Sequence, residues 1–403
     1  MCRRRRREME LWVPLVALLL LLSRSPLASS ILDPVDFLAL QAIRKSLDDM
    51  PGSAFFSSWD FTADPCGFPG VFCSGDRVMA LNLGDPRAGS PGLTGRLDPA
   101  VGRLSALAEL SLVPGRVVGP IPASLGLCSN LRFLALSKNF LWGSIPTSLS
   151  SLPHLRTLDL SFNQLSGAIP PSLPSLPSLS NLILCHNQLS SSIPSFPDSS
   201  PLLRLDLKHN SLSGSIPNLP FTLQYLSLSS NNLTGRVDAV LPKLSRLAYL
   251  DLSSNRLDGP IPNCVFSFPL TSLQLQRNAF YGPVVPEGEV GVELVDLSYN
   301  RLWGPVSPLL AAVGRLYLNN NRFTGEVPAR LVQGLMGSSG LQVLYLQHNF
   351  LTGVEIGPAA ALPMGSSLCL QYNCMVPPVE APCPLKAGTQ KTRPADQCPE
   401  WRG

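Results

Sequence analysis

A Leu-x-Leu pair returns along this chain at nearly constant spacing. With the second leucine of each pair as a marker, the series runs Leu112, Leu136, Leu160, Leu184, Leu207, Leu228, Leu252, Leu275, Leu297 and Leu318, a mean step of about 23 residues. A fixed period of this size is the signature of stacked supersecondary units. Leu83 precedes the series, and Leu346 and Leu370 follow it. The two longest steps, 83 to 112 and 318 to 346, contain GDPRAGSPG and VQGLMGSSG, which read as loop insertions. Alternation along a strand puts both leucines of a pair on one face and the intervening residues on the other. No single unit can bury that face alone, so neighbours must stack into a continuous core and the ends must be capped. A chain of 403 residues would otherwise suggest two or three domains; the repeat makes it one α/β solenoid.

Three residues after each marker from Leu136 onward stands an asparagine, from Asn139, Asn163 and Asn187 through to Asn349 and Asn373. An interior turn leaves backbone groups unpaired, and stacked Asn side chains can satisfy them from coil to coil. Gly115 breaks the series, so the first full repeat should be irregular there. Upstream, PVDFLALQAIRKSLDDM places Phe37, Leu38, Leu40, Ile43 and Leu47 at helical spacing, as a cap would.

Residues 1–30 read as a signal peptide: the basic run Arg3 to Arg7, an apolar stretch from Leu11 to Leu22, then small residues before Ile31. The apolar stretch has about 12 residues, short of the roughly 20 that a membrane span needs. An uncleaved N-terminal anchor is the alternative. The expectation is a secreted chain with no stable membrane insertion. Its formal charge of +4 resides in that leader, because the remainder holds 25 basic and 25 acidic residues. A neutral body gives no electrostatic reason to expect nucleic acid as a partner. Cys66 and Cys73 in PCGFPGVFC suit a small-loop disulfide in an oxidising compartment. Cys369, Cys374, Cys383 and Cys398 crowd the C-terminus and should staple that end; Cys374 and Cys383 count among the structural half-cystines, with the connectivity left open.

Candidates for chemistry are few. His186 and His209 precede ladder asparagines in neighbouring coils, and with Cys185 they form the one plausible metal cluster. Lys208 beside them argues against a cation, so no metal and no cofactor is expected. His209 and Asp206 could join a Ser/His/Asp triad on paper, but no nucleophile elbow accompanies them. Asp159, Asp206, Asp251 and Asp296 fall at the x of Leu-x-Leu and read as structural, so the chain is not expected to be an enzyme. Cys128 occupies a core position, and Cys264 has no evident partner. Asn232-Leu233-Thr234 is a glycosylation sequon.

The unit LxxLxxLxLSxNxLxGxIPxxL, as in LRTLDLSFNQLSGAIPPSL (155–173), resembles the plant class of extracellular leucine-rich repeats. Trp59, Cys66, Gly70, Val71 and Cys73 match that family's N-terminal cap, with Phe68 where tryptophan is usual. The resemblance implies a right-handed superhelix with a concave parallel β-sheet, a second short-stranded face and capped ends. It also implies kinship with receptor-like proteins, receptor-kinase ectodomains and polygalacturonase-inhibiting proteins, here without kinase or membrane span. The expected divisions are a leader (1–30), an N-terminal cap (31–77), an array of about 12 repeats (78–373) and a Cys-containing C-terminal cap and tail (374–403). The expected function is non-catalytic recognition of a protein or peptide at the plant cell surface or wall, acting in signalling or defence through a partner such as a membrane receptor kinase. The alternative is inhibition of a wall hydrolase. On the concave face, departures from the Ser/Asp/Gln background single out Arg204, Tyr225 and Tyr249, and then Arg315, Tyr317 and Tyr345, because Tyr and Arg are enriched at binding hot spots.

Overall fold

The computed structural model describes residues 31–84, 92–112, 114–336, 340–355, 367–377, 383, 388 and 390–398. The leader at 1–30 and most of the first insertion lie outside the described residues. Every Leu-x-Leu marker sits in, or directly after, a strand of one 14-stranded sheet. Its first strand, Val71–Ser74, pairs antiparallel with Arg77–Leu83; every later pair is parallel and in register, as in Leu205↔Leu226 and Leu226↔Leu250. Segments following the ladder asparagines, such as Phe140–Gly143 and Arg301–Gly304, form a lateral face of one 6-stranded and one 7-stranded sheet. Short 3-10 turns such as Thr147–Ser151 close most coils. The second insertion departs from its reading as a loop: Ala329–Met336 is an α-helix that buries Leu331, Val332 and Leu335.

The inward leucines fill the core: Leu134, Leu158, Leu182, Leu205, Leu226 and Leu250 are all 0% exposed. Burying each such side chain is worth roughly 1.5–3 kcal/mol. The ladder holds the turns beside them. Asn255 is representative: its Nδ2 donates to the carbonyls of Leu228 at 2.9 Å and Leu252 at 3.1 Å, in the preceding coil and its own. Its Oδ1 accepts the Leu233 N–H at 3.0 Å. The same acceptor bond reaches back from Asn139 to Val117, from Asn163 to Leu141, and onward to Asn373 and Leu351. The residue just before each ladder Asn is left-handed, with φ between 53° and 59° from Lys138 to Tyr372. At the expected break, Pro114 occupies that position, where its ring forbids positive φ; the Gly115 N–H still donates to the Lys138 carbonyl at 3.1 Å, as the Asn139 N–H does to Phe162, so only the side-chain amide is lost.

At the N-terminus, the helix Pro34–Ser46 is capped by Asp33, whose carboxylate accepts from the Val35 and Asp36 N–H groups. Leu40, Ile43 and Leu47 are buried, but Leu38 is 54% exposed. In its place the helix buries Asp36, which takes Arg77 Nη2 at 2.8 Å and the Val78 N–H at 2.8 Å. That buried pair ties the helix to the first hairpin. Trp59 stacks on Phe68 at 5.4 Å, and Cys66 is bonded to Cys73. At the other end Cys374 is bonded to Cys398 and Cys383 to Cys369, so Cys374 and Cys383 are not each other's partners. The tail there lays Lys391–Arg393 against the last ladder turn: the Tyr372 N–H donates to the Lys391 carbonyl at 2.9 Å and the Arg393 N–H to the Asn373 carbonyl at 2.8 Å. Arg393 also donates to the Asn349 carbonyl at 2.9 Å, with its guanidinium 4.1 Å from the Phe350 ring.

The lateral face is interrupted once between its two sheets. The 6-stranded sheet ends at Gln188–Leu189 and the 7-stranded one starts at Ser213–Gly214, with a lone bridge, Ser192↔Ser213, between them. Neighbouring coils place a positive-φ glycine at this point, Gly167 at 78° and Gly214 at 79°; this coil has Ser191 at 68°. A side chain in that region costs about 1–2 kcal/mol, of which glycine's greater unfolded entropy takes back about 0.5–1. Ser191→Gly should therefore raise the urea midpoint, by up to about 1 kcal/mol of stability; a loss of stability would refute this account. Asn255→Ala, which strands one N–H and the carbonyls of Leu228, Leu252 and Ser253, should cost about 3 kcal/mol, with amide exchange accelerated first at Leu233 and its neighbouring coils.

Candidate ligand-binding surface

The solvent-facing residues of the long sheet line up in columns because the register never slips. One column holds Thr157, Asn181, Arg204, Tyr225, Tyr249, Ser272, Leu294 and Arg315; the next holds Asp159, Ile183, Asp206, Ser227, Asp251, Gln274, Asp296 and Tyr317. Three of the four aspartates are held alike. Oδ1 of Asp159, Asp251 and Asp296 accepts the N–H at 3.0 Å and the hydroxyl at 2.6 Å of the serine two residues on. Those serines explain the structural reading of the LDLS consensus. Asp206 is different, since Lys208 stands where the serine would be. Its Oδ1 is buried without a partner, as is the adjacent Ser227 hydroxyl, and its Oδ2 takes Arg204 Nη2 at 3.2 Å.

The first group of candidate residues comes together as a pile of planar groups. The Arg204 guanidinium lies 4.0 Å from the Tyr225 ring. Tyr225 and Tyr249 stack at 4.5 Å with 5° between their planes. Gln274 Nε2 then donates to the Tyr249 hydroxyl at 3.0 Å and to Ser272 Oγ at 3.1 Å. Burial, with Asp206 as the next cause, raises the Tyr225 phenol above its ordinary value, and burial, with Asp251 next, raises that of Tyr249. The second group forms a separate cluster. Tyr317 and Tyr345 meet edge to face at 5.2 Å, and Arg315 donates to Glu293 at 2.8 Å. The strands Ser272–Gln274 and Leu294–Asp296 separate the two clusters.

The histidines form no ligand cluster. Phe162, His186 and His209 stack in sequence, 4.1 Å and then 4.3 Å between ring centroids. Burial lowers the His186 imidazole below its ordinary value, helped by His209 and Lys208. Burial pushes the neighbouring Cys185 thiol up to about 11, and that of Cys128 likewise. Among the described residues no three His, Cys, Asp or Glu side chains are placed to hold a metal ion. Cys264 is half-buried and not bonded to another cysteine. Asn232 and Thr234 of the sequon are exposed on the lateral strand Asn232–Arg236, with Leu233 buried between them. Sequence reasoning missed the pile's order and the exceptional Asp206. The signal was present, as DLK in one coil against DLS in three.

Known proteins resemble both the parts and the whole. The profile for the leucine rich repeat N-terminal domain matches residues 33–74, and that for the leucine rich repeat matches 129–189 and 221–280. Receptor-like kinase TMK4 of Arabidopsis thaliana is 34% identical over 115 residues, which cover 28% of this chain and 11% of that protein. The crystal structure of PEPR1 with AtPEP1 superposes with a TM-score of 0.66 at 28% identity, covering 84% of this chain and 52% of that one. The Arabidopsis receptor kinase HAESA, solved with the peptide hormone IDA and the co-receptor SERK1, gives a TM-score of 0.55 at 26% identity, covering 85% and 66%. The chain thus spans about a tenth of TMK4 and roughly half to two thirds of the receptor chains it superposes on. No helix among the described residues is long and apolar enough to cross a membrane. The chain is a leucine-rich-repeat solenoid with a leucine-rich-repeat N-terminal domain, homologous to the ectodomains of plant receptor-like kinases.

Proposed function

We propose that this protein is a secreted, non-catalytic recognition module that binds an extended peptide along its long sheet. The observation that carries this reading is the Arg204–Tyr225–Tyr249 pile on the solvent side of that sheet. Rigid aromatic faces supply contact area at low entropic cost, and tyrosine and arginine are the side chains most enriched at hot spots. From Arg204 to Tyr345 the face spans seven strands, about 29 Å at the usual strand spacing, which an extended peptide of about nine residues would cover. HAESA, a structural neighbour, was solved with a peptide hormone. A leader at 1–30 would deliver the chain to the cell exterior. A glycan on Asn232 would project from the lateral face and leave the long sheet open. A partner such as a membrane receptor kinase would carry the signal onward.

The competing role, inhibition of a wall hydrolase, differs in needing no third component. Purified protein would then lower polygalacturonase activity in a two-component assay. On the peptide-recognition reading, that assay stays flat and cross-linking in intact tissue recovers a receptor partner. The double substitution Tyr225→Ala with Tyr249→Ala should abolish that recovery. Melting temperature should move little, because a cross-strand aromatic pair contributes only about 0.2–1 kcal/mol. A large fall in stability with recovery unchanged would reduce the tyrosines to a packing role.

A further inference from the structure

The tyrosine pile is capped at one end only. Arg204 covers the outer face of Tyr225, and Tyr225 covers the inner face of Tyr249. The remaining face of Tyr249 looks along the sheet toward the next strand, where its register partner is the small residue Ser272. One strand further the same column holds Leu294. Tyr249 and Leu294 are therefore two spacings apart, about 9.6 Å, with only a serine between them. Gln274, tethered to the Tyr249 hydroxyl and Ser272, closes the floor.

Two carboxylates flank this gap. Asp251 precedes Gln274 in its column and Asp296 follows it. Asp251 is 6% exposed, and its capping serine occupies Oδ1 alone, so Oδ2 receives no hydrogen bond among the described residues. Asp296 is bound the same way. Of the cations nearby, Arg204 is committed to Asp206 and Tyr225 and Arg315 to Glu293, while Arg277 lies 4.5 Å from the Tyr299 ring and lends positive charge to Asp296, leaving Asp251 without an ion pair among the described residues. Burial, the leading cause, raises the Asp296 carboxyl above its ordinary range, outweighing the Ser298 hydrogen bonds and the Arg277 charge that lower it. An aromatic face beside a desolvated carboxylate is a favourable seat for a cation, and Arg204 on Tyr225 shows within this molecule how a guanidinium sits on such a ring.

We propose that this gap receives a basic side chain, a lysine or arginine of the bound peptide, stacked on the free face of Tyr249 with its charge shared between Asp251 and Asp296. The inference rests on the peptide-recognition reading and adds the chemistry of one ligand residue to it.

The test is selection of a random peptide display library on the full secreted chain, followed by titration of one synthetic binder. Selected peptides should share a Lys or Arg at one position. Replacing that residue with norleucine should weaken binding at least tenfold to the wild-type protein and under threefold to a variant carrying Asp251→Asn and Asp296→Asn. Asparagine keeps the Oδ1 acceptor for each capping serine, and an unchanged melting temperature confirms the fold. Ser272→Arg offers a second variant should that one unfold: it fills the gap from within, so it should block the basic peptide at least tenfold. Binders lacking a basic position overturn the inference but leave peptide recognition standing. So does a basic position whose loss weakens binding equally in both proteins, or binding undiminished by Ser272→Arg. A library that yields no binder overturns both.

Discussion

From Asn139 onward, one primary amide in each coil holds the interior turn of the coil before it. The turn leaving each long-sheet strand is neither helix nor strand; its N–H groups ladder onto the next coil, as the Asn163 N–H does onto the His186 carbonyl at 3.1 Å, but inward carbonyls such as those of Leu136 and Leu160 take a side-chain donor. A carboxylate could accept there but not donate, and a hydroxyl offers a single donor. Asparagine alone is short enough and carries both kinds of group. Asn163 gives Nδ2 to Leu136 and Leu160 while Oδ1 takes the Leu141 N–H. The arrangement demands a left-handed residue immediately before the amide, and the chain accepts that strain at non-glycine side chains from Lys138 to Tyr372. Because the amide fixes each coil against its neighbour, register cannot slip. Columns of side chains then follow, and the long sheet reads as a grid.

What was legible in the sequence follows from that regularity. A pattern repeated many times specifies backbone position well, so the strands, the lateral face, the irregularity at Gly115 and the N-terminal helix could all be placed. Side-chain contacts across columns were less accessible. Tyr225 and Tyr249 could be assigned to one column, but not their 5° stack or the guanidinium lying over it. Asp36 on the cap helix carried no sequence signal, because its partner Arg77 lies 41 residues away, beyond the reach of any local period. Cysteine pairing at the C-terminus depends on how the tail folds back over the last coil, so spacing alone left it open. In the second insertion Leu331, Val332 and Leu335 do have helical spacing, but the glycines and serines around them masked it.

Overall charge proved a poor guide to local electrostatics. Beyond residue 30 the sequence balances 25 basic against 25 acidic residues, yet the grid separates them. Aspartates recur in every second coil of one column, from Asp159 to Asp296. Of the arginines around them, Arg204 pairs with Asp206 in the column itself, Arg315 pairs with Glu293, and Arg277 lies over the Tyr299 ring. Charge neutrality therefore coexists with unmatched carboxylates beneath an aromatic pile, and what a ligand meets is set by columns rather than by totals.

The gap in the lateral face between Gln188–Leu189 and Ser213–Gly214 has a mechanical consequence. Elsewhere adjacent coils are stitched along two edges, by the long sheet and by a lateral strand, so the stack resists bending as a girder with two flanges does. At Ser191 the lateral flange thins to one bridge, with the Ser211 N–H on the Leu189 carbonyl at 2.8 Å and the Ser213 N–H on the Ser191 carbonyl at 2.9 Å, while the other continues through Ile183 and Asp206. Such a section behaves as a flexure: curvature concentrates there, about the axis of the intact sheet. Arg204 lies in the first strand beyond that point, so the tyrosine pile and everything C-terminal to it can pitch as one block against the N-terminal third. Under tension along the stack, this joint would be the first to open.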